Sequence, residues 1–176
     1  MLIDTKPTNQ NTKKVDITTT AIRLMLDKAK NVDEALELLS SYDMHSSANS
    51  CYHFQICGAS GKSVVVEYVD NEMKVVYPDK NYQCATNFLL TNPDAEFNFG
   101  QDRYQIIDEK LSSTNGKLSN HEAMQLLSDC SQDAHKNKQG KISKTQWSCV
   151  YDLKNKKVTI CVNENYDARY TISVLE

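Results

Sequence analysis

Three residues in this chain have types and settings that could serve chemistry. Asn87 ends a short extended stretch, 83–86. An asparagine there is ordinarily a turn former, but its amide can also donate a hydrogen bond to a developing oxyanion. Arg103 stands at the start of a helical stretch, where the helix dipole favours anions. A residue placed against a local preference points mildly to function, although a solvent-facing arginine would account for it too. Glu67 lies in the β-branched run Ser63–Val69. Strand alternation turns Val64, Val66 and Tyr68 to one face and Val65, Glu67 and Val69 to the other. A carboxylate on a covered face needs partners. It is either an orienting group behind a site or an exposed residue on a half-open sheet, and both readings stay open.

Other patterns dissolve on inspection. Gly58-Ala59-Ser60-Gly61-Lys62-Ser63 resembles a phosphate loop, but that motif needs a glycine where Ile56 stands, and a helix to follow. A Val-rich strand follows instead, so these residues read as a hairpin turn. No Gly-x-Ser-x-Gly elbow is present. The four histidines, His45, His53, His121 and His135, have no spacing that links them as a metal set. The six cysteines, Cys51, Cys57, Cys84, Cys130, Cys149 and Cys161, include no C-x-x-C pair, which argues against zinc. They read mostly as small buried residues in strands, in keeping with a reducing cytoplasm.

The elements that must position these residues follow from periodicity. Residues 1–17 are a polar, irregular lead-in. Ile22, Met25, Leu26 and Ala29 fall at helical spacing, and Asn31 with Glu34 forms a capping pattern before Ala35, Leu38 and Leu39. Residues 18–42 are therefore two consecutive helices, or one bent at Asn31. Strands are expected at 52–57, Ser63–Val69 and 73–77, with a fourth extended piece at 83–86. Helices return at 102–111, with Ile106, Ile107 and Leu111 on one side, and after a second capping pattern, Ser119 with Glu122, backed by Ala123, Leu126 and Leu127. Residues 131–144 are a polar loop whose lysine-rich part, 136–144, is solvated or a subunit contact. Strands at 145–153, 156–162 and 169–175 close the chain. Segregated runs of strands and helices make the class α+β.

The 176 residues carry 20 Lys plus Arg against 23 Asp plus Glu, a net charge of −3. That balance argues against nucleic-acid binding, which needs a basic face. No apolar run approaches the roughly 18 residues of a membrane span, and the polar start is no secretory signal. The length and the absence of repeats or linkers fit one domain.

Four ordered blocks carry a family resemblance: AIRLMLDKAKNVDEALELLSSYDMH, YHFQICGASGKSVVVEYV, CATNF and TQWSCVYDLKNKKVTICVNENYDARYTISV. Together, over residues 18–174, they resemble the linear amide C–N hydrolases. These are the choloylglycine hydrolase and penicillin V acylase group and the related acyl-CoA:isopenicillin acyltransferase-like peptidases. The resemblance implies an N-terminal-nucleophile fold, an αββα sandwich of antiparallel sheets. It implies a cysteine nucleophile at the mature N-terminus whose own α-amine is the base, and no metal or organic cofactor. The thiolate attacks an amide carbonyl, and water then releases the acid from an acyl-enzyme.

On matching positions, Asn87 becomes the donor to the substrate carbonyl, with Asn92 of Thr91-Asn92-Pro93 as second choice. Arg103 becomes an active-site arginine supporting the cysteine and the charge of the pocket. The chain begins Met1-Leu2, so the nucleophile segment is expected to be missing. Cys51 and Cys84 are weak substitutes, because neither has a free α-amine. The resemblance thus implies a single incomplete domain, the C-terminal portion of such an enzyme. It acts on a small-molecule amide such as a bile salt, penicillin V or an N-acyl amino compound. It is inactive alone, and pairs with an N-terminal half or with itself. The rival reading is a non-catalytic fragment or interaction module that kept the fold pieces.

Overall fold

The computed structural model describes residues 14–45, 53–69, 72–94, 99–136 and 140–174. The chain groups into two compact units, 1–104 and 105–176, the division falling inside one helix.

In the first unit, β1 (Lys14–Ile17) leads into α1 (Thr18–Lys28) and α2 (Val32–Ser40), and β2 (Tyr42–His45) returns parallel to β1. The expected irregular lead-in and late helix end are thus corrected at 14–17 and 42–45. Each piece is only four residues long, too short for its alternation to announce a strand. The break between the helices falls at Asn31. Its Oδ1 accepts the Glu34 amide at 3.0 Å, and a Glu34 carboxylate oxygen accepts the Lys30 amide at 3.0 Å. One donor left over by the helix start, the Glu34 amide, and one just ahead of the cap are thereby satisfied.

Then β3 (Phe54–Cys57), β4 (Ser63–Val69) and β5 (Glu72–Val76) form an antiparallel sheet in that order. Gly61, at φ +88°, makes the turn between β3 and β4. The core forms where Ala21, Val32 and Leu39 of the helices meet Phe54, Val64 and Val66 of the sheet, with Ile56, Tyr68, Met73 and Val75 packed around them. Strand alternation is as expected: Val64, Val66 and Tyr68 face the helices, while Val65 and Glu67 point to the other side. Residues 83–86 are not a fourth strand. Gln83 ties this segment to the sheet by its side chain, donating to the Val76 carbonyl at 2.8 Å and accepting from Ser63 Oγ at 2.6 Å, so the segment crosses the sheet without joining its ladder.

α3 (Gln101–Ser113) carries no fully buried residue, and Ile106 is largely exposed, so the apolar side expected of it is only partly covered. In the second unit, α4 (Asn120–Asp129) opens on a complete capping box of Ser119 and Glu122. It buries Met124 and Leu126 and packs on β8. A small hairpin, β6 (His135–Lys136) with β7 (Ile142–Ser143), interrupts the expected loop. Then β8 (Trp147–Asp152), β9 (Lys157–Val162) and β10 (Arg169–Ser173) form an antiparallel sheet with β9 central. No described helix is long and apolar enough to cross a membrane.

Of the five described cysteines, Cys84 and Cys161 are buried and Cys57 is exposed, so the buried reading holds for only part of the set. Cys51 lies outside the described residues.

Candidate active site

Asn87 and Arg103, sixteen residues apart, meet in space. An Arg103 Nη2–H donates to Asn87 Oδ1 at 2.6 Å. A guanidinium has only donors, so the amide atom facing it must be the oxygen. The amide is therefore held with its Nδ2 donor end turned away from the arginine. The apparent misplacement of Arg103 in the first turn of α3 is resolved, because the guanidinium is spent on Asn87.

The backbone around the pair is pinned from several sides. Asn87 O accepts the Phe99 amide at 3.2 Å, and Thr86 Oγ1 donates to the Gly100 carbonyl at 2.9 Å. Thr86, Phe88 and Leu89 are buried, and the Phe88 and Tyr104 rings meet edge to face with centroids 5.1 Å apart. Gly100 has φ +89°, and a Cβ there would lie 2.6 Å from Arg103 Nη2 and 3.3 Å from the Asn87 backbone nitrogen. Glycine at this position therefore leaves room for the guanidinium to reach Asn87.

Glu67 is completely buried and forms the second anchor of the Asn87 segment. Its Oε1 accepts the Leu90 amide at 2.7 Å, and its Oε2 accepts the Thr91 amide at 3.0 Å and the Thr91 hydroxyl at 2.6 Å. The buried His53 ring approaches Oε1 through Nδ1 at 3.4 Å. Burial alone would push the carboxyl up. The hydrogen bonds from His53, from the Thr91 side chain and from the two amides outweigh it and hold the carboxyl below the usual carboxylate range. Of the two readings the sequence left open for Glu67, the exposed residue on a half-open sheet is therefore removed. Thr91 of the second-choice Thr-Asn pair is a partner of Glu67, and Asn92 lies exposed beyond it.

The sequence missed Thr86, Gly100 and His53 as supports. A glycine just before a helix start was the only visible hint for Gly100, and nothing in periodicity marks the others. Among the described residues no group of three or more side chains could hold a metal ion. The Asn87–Arg103 arrangement suits the presentation of a fixed neutral donor to an oxygen that gains negative charge.

The family described as acyl-coenzyme A:6-aminopenicillanic acid acyl-transferase matches residues 5–167. Among solved structures, a mutant of conjugated bile acid hydrolase from Clostridium perfringens is similar at TM-score 0.69 and 15% identity, over 98% of this chain and 67% of that one. A second variant of the same hydrolase gives TM-score 0.71 and 13% identity, with the same coverage. At these identities the likeness is one of fold, and it bears out the expected N-terminal-nucleophile architecture. No curated protein matches the chain.

Proposed function

The chain belongs to the acyl-coenzyme A:6-aminopenicillanic acid acyl-transferase family, and from that membership we propose that it forms the C-terminal portion of a cysteine N-terminal-nucleophile amidase. In this reading the nucleophile comes from a segment outside the chain, and this chain supplies the oxyanion donor. The cysteine's α-amine takes the thiol proton, and the thiolate attacks the carbonyl carbon of a linear amide. Asn87 Nδ2 donates to the oxygen as it becomes an anion. Collapse breaks the C–N bond, and the amine base returns the proton to the leaving nitrogen. Water, deprotonated by the same amine, then cleaves the thioester and frees the acid. Arg103 keeps Asn87 oriented, so no reorganisation is required as charge develops. The substrate class is the family's: conjugated bile salts, penicillin V and N-acyl amino compounds.

The observation that supports this most is the guanidinium on Asn87 Oδ1, because it commits the other end of the amide to donation. The test is hydrolysis of these three amide classes by the full-length protein that contains this chain. Release of the free acid from at least one of them, with a transient mass increase equal to the acyl group, supports the reading. A folded full-length protein that cleaves none of them, and forms no acyl adduct, replaces it with the non-catalytic module.

A further inference from the structure

Resting on the reading above, we infer that Glu67 is a positioning residue for Asn87, acting through the Leu90–Thr91 backbone. The sheet itself gives no reason for a carboxylate at this place. Its strand neighbours Val64, Val65 and Val66 are as fully buried as Glu67, and a fourth apolar residue would pack there with no desolvation cost. Lys74, its partner across the β4–β5 ladder, pairs with Glu72 at 2.6 Å. Besides the His53 ring, whose Nδ1 lies 3.4 Å from Oε1, the carboxylate is taken up by donors from one two-residue stretch: two amides and one hydroxyl.

That stretch begins three residues after Asn87 and belongs to no strand. It cannot fix its own backbone through a ladder, and the buried carboxylate substitutes for one. The Asn87 segment is thus mounted at two ends. Phe99, Gly100 and Arg103 hold it on one side, and Glu67 holds it on the other. Arg103 sets the rotation of the amide, whereas Glu67 sets where the backbone lies. Loss of either leaves Asn87 present but displaced, and a displacement near 1 Å can cost about 100-fold in rate.

Glu67→Gln replaces one acceptor oxygen by an NH₂ that faces donors, so it breaks the mount while nearly preserving volume. Thr91→Val removes one hydrogen bond at an exposed residue and leaves the buried strand untouched, which keeps the test open if Glu67→Gln fails to fold. Thr91→Ser restores the hydroxyl. In the full-length protein, kcat for amide hydrolysis is expected to fall about 10- to 100-fold in Glu67→Gln and about 10-fold in Thr91→Val, with KM nearly constant and Thr91→Ser near the parent. Variants that lose thermal stability but keep the parental kcat while folded would overturn the inference and leave Glu67 a structural anchor only. Asn87→Ala separates this failure from failure of the enzymatic reading. If Asn87→Ala is also silent in an active enzyme, the donor assignment itself is wrong. If it alone is damaging, only the role of Glu67 falls.

Discussion

Glycine at 100 matters because of what stands beside it. An alanine there would have to hold φ near +89° and place its Cβ 2.6 Å from Arg103 Nη2. The backbone strain is about 1–2 kcal/mol, and the arginine tip can move aside, so the fold should survive. Moving the tip separates it from Asn87 Oδ1. We expect Gly100→Ala to fold with a modestly lowered Tm and to lose much more activity than stability; equal losses in both would show that the clamp does not matter. Glu67 makes a pH prediction. Its carboxyl titrates lower in the folded chain than in the unfolded one. The stabilisation is therefore fully present above the ordinary glutamate pKa of about 4.3 and is lost as pH falls through the lower folded value. His53, the Thr91 hydroxyl and the Leu90 and Thr91 amides face it. Chemical denaturation between about pH 3 and pH 7 should show a shallower acid limb in Glu67→Gln than in the parent. Asn87 and Arg103 stood out as candidates from type, position and family pattern, and the structure brings them together. The partners of Glu67 could not, because two of their hydrogen bonds come from the Leu90 and Thr91 backbone amides, which any residue except proline possesses.

At the scale of elements, the helix boundaries that carry side-chain caps were the legible ones. Asn31 with Glu34 and Ser119 with Glu122 mark their helix starts in the sequence and cap them in the structure. Asn31→Ala should cost about 1 kcal/mol of stability. Leu39, 1% exposed on α2 in the core of the first unit, should cost about 2–5 kcal/mol as Leu39→Ala. Denaturant midpoints of the two variants would check the order, and a larger loss for the cap than for the core leucine would contradict it. The β1–β2 pair was not legible, because a parallel partner lies far away in sequence and four residues give period-2 reasoning too little to count. The stretch 83–86 looked extended, yet it is no strand. The Gln83 side chain ties it to β4 and β5, which a pattern of residue types does not reveal.

At the scale of the whole molecule, the second unit has a sheet with two unlike faces. Ser148, Thr159 and Cys161 are buried, and Tyr166 links Ser148 to the Leu127 carbonyl of α4, so this face lies against the helix. The register places Trp147, Tyr151, Tyr170 and Ile172 on the other face, at 67%, 64%, 60% and 59% exposure. An apolar sheet face of that kind is ordinarily covered by a second layer. The chain alone is expected to bind a hydrophobic dye and to self-associate, and Tyr151→Thr with Ile172→Thr should reduce both. A monomer that binds no dye would contradict this.

The role of Asn87 as donor to the oxyanion is tested most directly by kcat for amide hydrolysis in the full-length protein with and without Asn87→Ala. The expected result is a fall of about 10²–10³-fold in a variant that still folds, with acyl-adduct formation slowed to match. An unchanged kcat in the folded variant would contradict that role, whatever the substrate proves to be.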